Sequence, residues 1–195
     1  MKKLVLFVAL AALMLPANVL KAQLERKGYV GFSIGPSFLT GSIHEDIKPQ
    51  SGGGLGGTIC NFGYLFTPHI GIHSSFFAMV HAVKQPEEYA NVQISGLLVG
   101  PQFSTATVNE KFEFDLRPTI GFGQGIITLK GGNDTLGKGF AVTFGVGGSV
   151  RWNFGKRWSL ALTIDYYNSK PEEDDQKRKM DLSYLLIANG LNFRF

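Results

Sequence analysis

The sequence predicts an all-β chain: an eight-stranded antiparallel transmembrane β-barrel with up-and-down meander order. Three observations carry that expectation. Long segments alternate at period two, as where Phe140, Val142, Phe144, Val146, Val150, Trp152 and Phe154 interleave with Ala141, Thr143, Gly145, Gly147, Ser149, Arg151 and Asn153. The connections between such segments alternate between tight turns and longer, charged loops. Beyond the N-terminal segment no apolar run approaches the roughly 20 residues of a membrane-spanning helix, and glycine recurs inside nearly every segment, which works against long helices.

The N-terminus, MKKLVLFVALAALMLPANVLKAQ, places Lys2 and Lys3 before an apolar run from Leu4 to Leu15 and small residues at Ala17 and Ala22. This is the pattern of a cleaved secretory signal. The rival, a transmembrane helix, needs a longer run. Cleavage after Ala22 divides the chain into a signal of residues 1–22 and one barrel domain of residues 23–195. Gln23 rather than Cys at the new terminus excludes lipoprotein-type acylation. Lys2, Lys3 and Lys21 leave with the signal, so the formal charge of +4 falls to +1. No basic excess is left to draw the chain to nucleic acid. Cys60 is the single cysteine, so the exported domain folds without an internal disulfide.

Eight alternating segments follow, over residues 29–40, 53–66, 69–82, 91–104, 111–129, 138–154, 158–168 and 181–195. Each supplies the roughly 9–11 residues of a tilted membrane strand. Segments two and four alternate poorly, and Leu97-Leu98-Val99 marks the place for a bulge. Thr67-Pro68 and residues 155–157 read as tight turns, and residues 105–110 as an intermediate one. Residues 41–51, 83–90, 130–137 and 169–180 read as longer outer loops. An even number of strands then leaves both ends of the barrel on the periplasmic side.

Alternation alone does not say which face is wet, because a soluble eight-stranded barrel also alternates, with its apolar residues inside. The content of the polar set decides. In the fifth and sixth segments it is Thr119, Gly121, Gly123, Gly125, Thr143, Gly145, Gly147 and Ser149, small residues suited to a cramped interior rather than a charged surface. The large set, with Phe112, Phe114, Phe122, Phe140, Phe144, Trp152 and Phe154, does not fit a lumen that side chains already fill. It therefore faces lipid. Aromatics gather near the turns (Tyr64, Phe66, Phe112, Phe114, Trp152, Phe154, Trp158, Phe193, Phe195) and near the loops (Tyr89, Phe140, Tyr166, Tyr167, Tyr184), as two interfacial girdles.

The whole mature chain resembles the small outer-membrane β-barrel proteins of Gram-negative bacteria, of the OmpA-barrel, OmpX and OmpW type. The carriers are the signal, the eight alternating strands, the aromatic turn RWNFGKRW and above all the ending Leu191-Asn192-Phe193-Arg194-Phe195. The resemblance implies a bacterial outer-membrane location. It also implies that Leu191, Phe193 and Phe195 form the C-terminal signal read by the barrel-insertion machinery, with periplasmic chaperones acting during assembly. The family hosts adhesins, pores, lipid-modifying enzymes and anchors alike, so fold does not fix function.

Inside the barrel the alternation places Glu113, Asp115, Arg117, Arg151, Asp165, Asn192 and Arg194. Charges in a narrow lumen must pair or find water, so an ion-pair network of Glu113, Asp115, Arg117, Arg151, Asp165 and Arg194 is expected to plug it. A narrow passive pore for small solutes is the functional alternative. His73 and Ser75 share one strand face, an arrangement also found in a lipid A deacylase of this barrel class, but no carboxylate is placed to orient His73. Polar lumen residues are the preferred reading, and a lipid A acyl-hydrolase is the distant alternative. His69 and His73 cannot share a metal, being about 13 Å apart along a strand. Residues 132–139 nearly spell a phosphate-binding loop, yet Gly139 stands where Ser or Thr is required and a strand follows instead of a helix. GGGLGG, residues 52–57, reads as a strand entry. Glu172, Glu173, Asp174 and Asp175 precede Lys177, Arg178 and Lys179 in the last loop, a block read as solvated, with cation or lipopolysaccharide binding as the alternative.

The sequence thus predicts a monomeric, non-enzymatic outer-membrane barrel acting in envelope structure or surface interaction through its outer loops. Outer-membrane lipid and lipopolysaccharide are the expected partners, with no cofactor, metal or nucleic acid. A soluble periplasmic ligand-binding barrel is the competing architecture.

Overall fold

The computed structural model describes residues 27–41, 53–84, 89–106, 111–129, 135–171 and 181–195. Its elements are eight strands: β1 (Gly28–Leu39), β2 (Gly53–Leu65), β3 (Ile70–Lys84), β4 (Tyr89–Ala106), β5 (Phe112–Leu129), β6 (Thr135–Phe154), β7 (Trp158–Ser169) and β8 (Tyr184–Arg194). Each strand pairs antiparallel with the next, and β1 pairs with β8 to close the barrel. All eight expected strands are present, with ends that shift by a few residues: β6 begins at Thr135 and β8 at Tyr184. Gly155, at φ 70°, opens the tight β6–β7 turn with a backbone conformation that glycine adopts without strain. The signal segment, most of the outer loops and the acidic block at residues 172–175 lie outside the described residues.

The two faces divide by parity. Ile34, Leu55, Leu97, Leu116, Ile120, Phe144 and Leu162 are exposed on the outside, and Phe122 reaches 71 % exposure. A soluble protein does not cover its circumference with such side chains; in hydrocarbon they are at home. Of the aromatics expected in the girdles, Phe66, Phe112, Phe114, Phe140, Trp152, Phe154, Trp158 and Tyr166 are outward and exposed. Tyr64 is half-buried, with its ring 5.7 Å from that of Phe66. Tyr167 and Tyr184, expected beside them on the loop-side girdle, instead point inward and are buried. Their parity is that of Asp165 on β7 and of Asn192 on β8, so period two assigns them to the lumen. The side chain of Tyr89 lies outside the described ones.

One bulge resets this parity. The β2 register slips by one residue against both neighbours, between Gly31 and Ser33 of β1 and between Ile59 and Phe62 of β2. The extra residue is Cys60, at φ 53°, exposed next to exposed Ile59. Before it Gly56 and Thr58 face inward; after it Asn61 and Gly63 do. Without the extra residue Asn61 would enter hydrocarbon. The bulge expected at Leu97-Leu98-Val99 is not there: β4 pairs in unbroken register with β3, and Leu97 and Val99 face out while Leu98 is buried inside. The apolar triplet arises because β4 has apolar residues on both faces.

That observation corrects the expected lumen, which was small and polar throughout. Toward the loops the interior is apolar and aromatic, built from Phe77, Met79, Val92, Ile94, Leu98 and Ile127 with Tyr167, Leu182, Tyr184, Leu186 and Ala188. Phe77 stacks on Tyr167 with centroids 4.9 Å apart, and Tyr184 lies 5.5 Å from Tyr167. The glycines supply the room. A Cβ on Gly125 would sit 2.5 Å from Leu182, and one on Gly56 would sit 2.6 Å from Met79. Replacing Phe122, near the middle of β5, with Arg is expected to cost about 2–4 kcal/mol, as for a cation on the lipid face at mid-bilayer. Urea titration of the barrel folded in lipid vesicles measures this; an unchanged midpoint would show that Phe122 does not meet hydrocarbon.

Candidate functional site: the two layers of the lumen

Below the apolar layer, toward the short turns, the lumen is ionic. Its positions follow from register, since Glu113 pairs across strands with Arg151, Asp115 with Ser149, Arg117 with Gly147, and Gly147 in turn with Asp165. Glu113, Asp115, Arg117, Arg151 and Asp165 are all buried, and Arg194 is half-buried. Arg151 grips Asp115 through two bonds, Nε to Oδ2 at 2.7 Å and Nη2 to Oδ1 at 3.0 Å, the forked geometry that suits guanidinium to carboxylate. Its Nη2 also lies 2.7 Å from Glu113 Oε2, and Arg194 donates to Glu113 Oε1 at 2.8 Å. Arg117 donates to Asp165 at 3.0 Å. A side chain at position 147 would collide with that Asp165 carboxylate, so glycine there keeps the pair possible. Neutral groups complete the layer. Gln102, Ser149 and Asn153 donate to Asp115, Asp115 and Glu113 at 2.9, 2.8 and 2.8 Å, and the Arg151 guanidinium lies 4.2 Å from the centre of the Tyr29 ring.

These contacts bring together all six residues expected in the lumen. They fall into two groups, Arg117 with Asp165 and the larger set around Arg151. Three guanidiniums oppose three carboxylates, so the layer carries no net charge to select an ion. The sequence did not single out Tyr29, Gln102 and Asn153. Their inward parity was the available signal, but neutral polar residues stand out less than charges.

The remaining candidates separate. His73 and Ser75 are both buried on the lumen side, yet His73 Nδ1 lies 3.4 Å from the Tyr29 hydroxyl, which donates to Gln102. His73 is thus drawn into the polar layer, whereas Ser75 pairs with Leu98 of the apolar one. His69 reaches the Ser104 carbonyl with a ring nitrogen at 3.0 Å. No group of three metal-ligating side chains occurs among the described residues. At the closing seam Gly28 and Phe195 exchange backbone bonds of 3.0 and 2.9 Å, and the Phe195 ring lies 6.3 Å from Phe62. Leu191 and Phe193 are half-buried on the outer face, Phe195 is exposed there, and Asn192 is buried in the lumen.

The family model for the outer membrane protein beta-barrel domain matches residues 7–195. The chain belongs to this outer-membrane barrel family. Its location is the bacterial outer membrane, as the lipid-facing exterior requires. Among solved structures it is similar to Neisserial surface protein A, at 14 % identity and TM-score 0.61 over 86 % of this chain and 97 % of that one. It is also similar to Ail, the attachment invasion locus protein of Yersinia pestis, at 16 % identity and TM-score 0.54 over 88 % and 100 %. No curated protein sequence matches the chain. At these identities the likeness is one of fold.

Within this outer-membrane barrel the ionic layer holds carboxylates already engaged by guanidiniums, so it offers neither a free base nor a free acid. Its bonds tie β5 to β6, β7 and β8 across the interior. Replacing Arg151 with Leu leaves the buried Asp115 without a cation, while Glu113 keeps Arg194, and a loss of about 3–5 kcal/mol is expected. The joint replacement of Arg117 and Asp165 by Leu, which removes a whole pair, should cost much less than either single change. Equilibrium unfolding of the three variants tests the contrast; additive losses would mean that the pair is not coupled.

Proposed function

We propose that this outer-membrane barrel is a non-conducting, non-catalytic scaffold that acts in envelope structure or surface interaction through its outer loops. The observation that carries this reading is that two packed layers of side chains, one ionic and one aromatic, lie across the lumen. Water and ions would have to pass both the paired charges around Arg151 and the aromatic packing of Phe77, Tyr167 and Tyr184. A passive pore needs a continuous wet path, and an eight-stranded barrel has little width to spare for one. Catalysis lacks support from the same geometry, since His73 turns to Tyr29 and not to Ser75.

A closed cylinder leaves its ends as the places for function. The strand ends leave residues 40–52 and 170–183 as long connections on one side, against residues 66–69 and 155–157 on the other. The names of the two similar structures, a surface protein and an attachment invasion locus protein, concern roles of this kind in those proteins. Outer-membrane lipid and lipopolysaccharide are the partners of the apolar exterior. Leu191, Phe193 and Phe195 are the segment offered to the insertion machinery, assisted by periplasmic chaperones, and the barrel works as a monomer.

Two measurements test this. In planar bilayers the purified barrel is expected to give no steady single-channel conductance; stepwise conductance would overturn the plug. Replacing residues 42–52 and 172–180 by short Gly-Ser turns should leave heat-dependent gel mobility intact while abolishing cell-surface binding, and unchanged binding would overturn the assignment to the loops.

A further inference from the structure

We propose that the tip of the β6–β7 hairpin is a headgroup site for an anionic phospholipid of the membrane leaflet that meets the short turns. The tip consists of residues 155–157, where Gly155 permits the tight reversal and Lys156 and Arg157 stand exposed side by side. The strands beneath them present aromatic rings outward. Phe154 and Trp158 are cross-strand partners, Trp152 lies 5.8 Å from Phe154, and Trp158 meets Phe193 edge-on at 5.3 Å. Arg157 belongs to this surface: its guanidinium carbon is 5.9 Å from the Phe193 ring centre, and its carbonyl accepts the Arg194 amide at 2.7 Å.

The chemistry selects a lipid. Tryptophan settles at the level of headgroups, with its ring in the apolar boundary and its N–H toward water. Cations one step further out then stand at the depth of phosphate. Two adjacent cations attract a phosphodiester, and the aromatic floor takes the glycerol and the first methylenes, which a free inorganic ion would leave unused. Charge complementarity extends beyond the hairpin. Lys27 and Lys111 are also exposed at the turn ends of their strands. Among the described residues, the acids Glu113, Asp115 and Asp165 are inside the lumen, and Asp181 is at the loop end beside Lys170. None of these lies on the turn rim to neutralise it.

The test uses the full barrel in discs of phosphatidylcholine doped with a minor fraction of phosphatidylglycerol, with the retained lipid read by native mass spectrometry. Enrichment of phosphatidylglycerol is expected, falling by roughly ten- to thirtyfold in the Lys156→Gln/Arg157→Gln variant and falling with added salt. Swapping the charges as Lys156→Arg/Arg157→Lys should retain it, and Lys138→Gln, on the outer face toward the loops, should leave it unchanged. Heat-dependent gel mobility verifies folding of each variant; if the double variant does not fold, the salt titration of the unaltered barrel carries the same test. Equal enrichment in the double variant, insensitivity to salt, loss of enrichment in Lys138→Gln, or displacement of the lipid by inorganic phosphate would each overturn the proposal.

Discussion

An eight-stranded cylinder leaves an interior only as wide as the side chains that line it. Every inward residue is therefore chosen against the opposite wall, and most of the structure follows from that constraint. Several of the large inward residues are seated against glycine. Phe77 lies along Gly96 and Met79 over Gly56, each its cross-strand partner on the neighbouring strand, and Leu182 reaches across to Gly125. The glycines that make the sequence look unsuited to helices are thus seats for large inward side chains. Outside there is no such limit, and Phe122, Phe144 and Leu55 extend freely.

The two layers that fill the lumen are held by different physics. In the loop-side layer, aromatic and aliphatic groups pack mainly by dispersion and exclusion of water. That packing leaves the Tyr184 hydroxyl and the His81 ring nitrogens buried without hydrogen-bond partners among the described residues, at a cost in stability. In the turn-side layer, each charge taken from water needs a partner of good geometry, because an ion left alone in a low-dielectric interior costs several kcal/mol. The structure meets that demand with forked bonds and neutral donors: Asp115 receives Arg151, Gln102 and Ser149, and Glu113 receives Arg151, Arg194 and Asn153. Three guanidiniums against three carboxylates leave this layer without net charge.

Much of this was legible in the sequence, and the failures share one cause. Period two gave all eight strands and the inward positions of Glu113 through Arg194, because charges on an otherwise apolar strand reveal their parity. It misled where both faces carry similar chemistry. Leu97-Leu98-Val99 suggests a bulge when every inward residue is expected to be polar; Leu98 belongs to the buried apolar layer. Tyrosine suits an interface, which points Tyr167 and Tyr184 to the girdle, although Asp165 and Asn192 on the same strands assign their parity to the lumen. The true bulge at Cys60 lies in a glycine-rich strand whose weak alternation hides a change of phase.

The ionic layer has a consequence for assembly that differs from its effect on stability. A buried pair is weak evidence of net stabilisation, since an apolar pair of equal volume often serves as well. Register is another matter. A slip of one residue turns every side chain of a strand to the other face. In β5 that would move Glu113, Asp115 and Arg117 into hydrocarbon, at about 2.5–3.5 kcal/mol for each charge near the centre of the membrane and less near its edge. The same slip in β8 exposes one charge, Arg194, close to the interface. Strand β5 is thereby the most strongly indexed element of the barrel. Its partners inherit that index, β6 through the Arg151 bonds and β7 through Asp165. The charges therefore specify which closed barrel forms among those that the apolar pattern alone would permit.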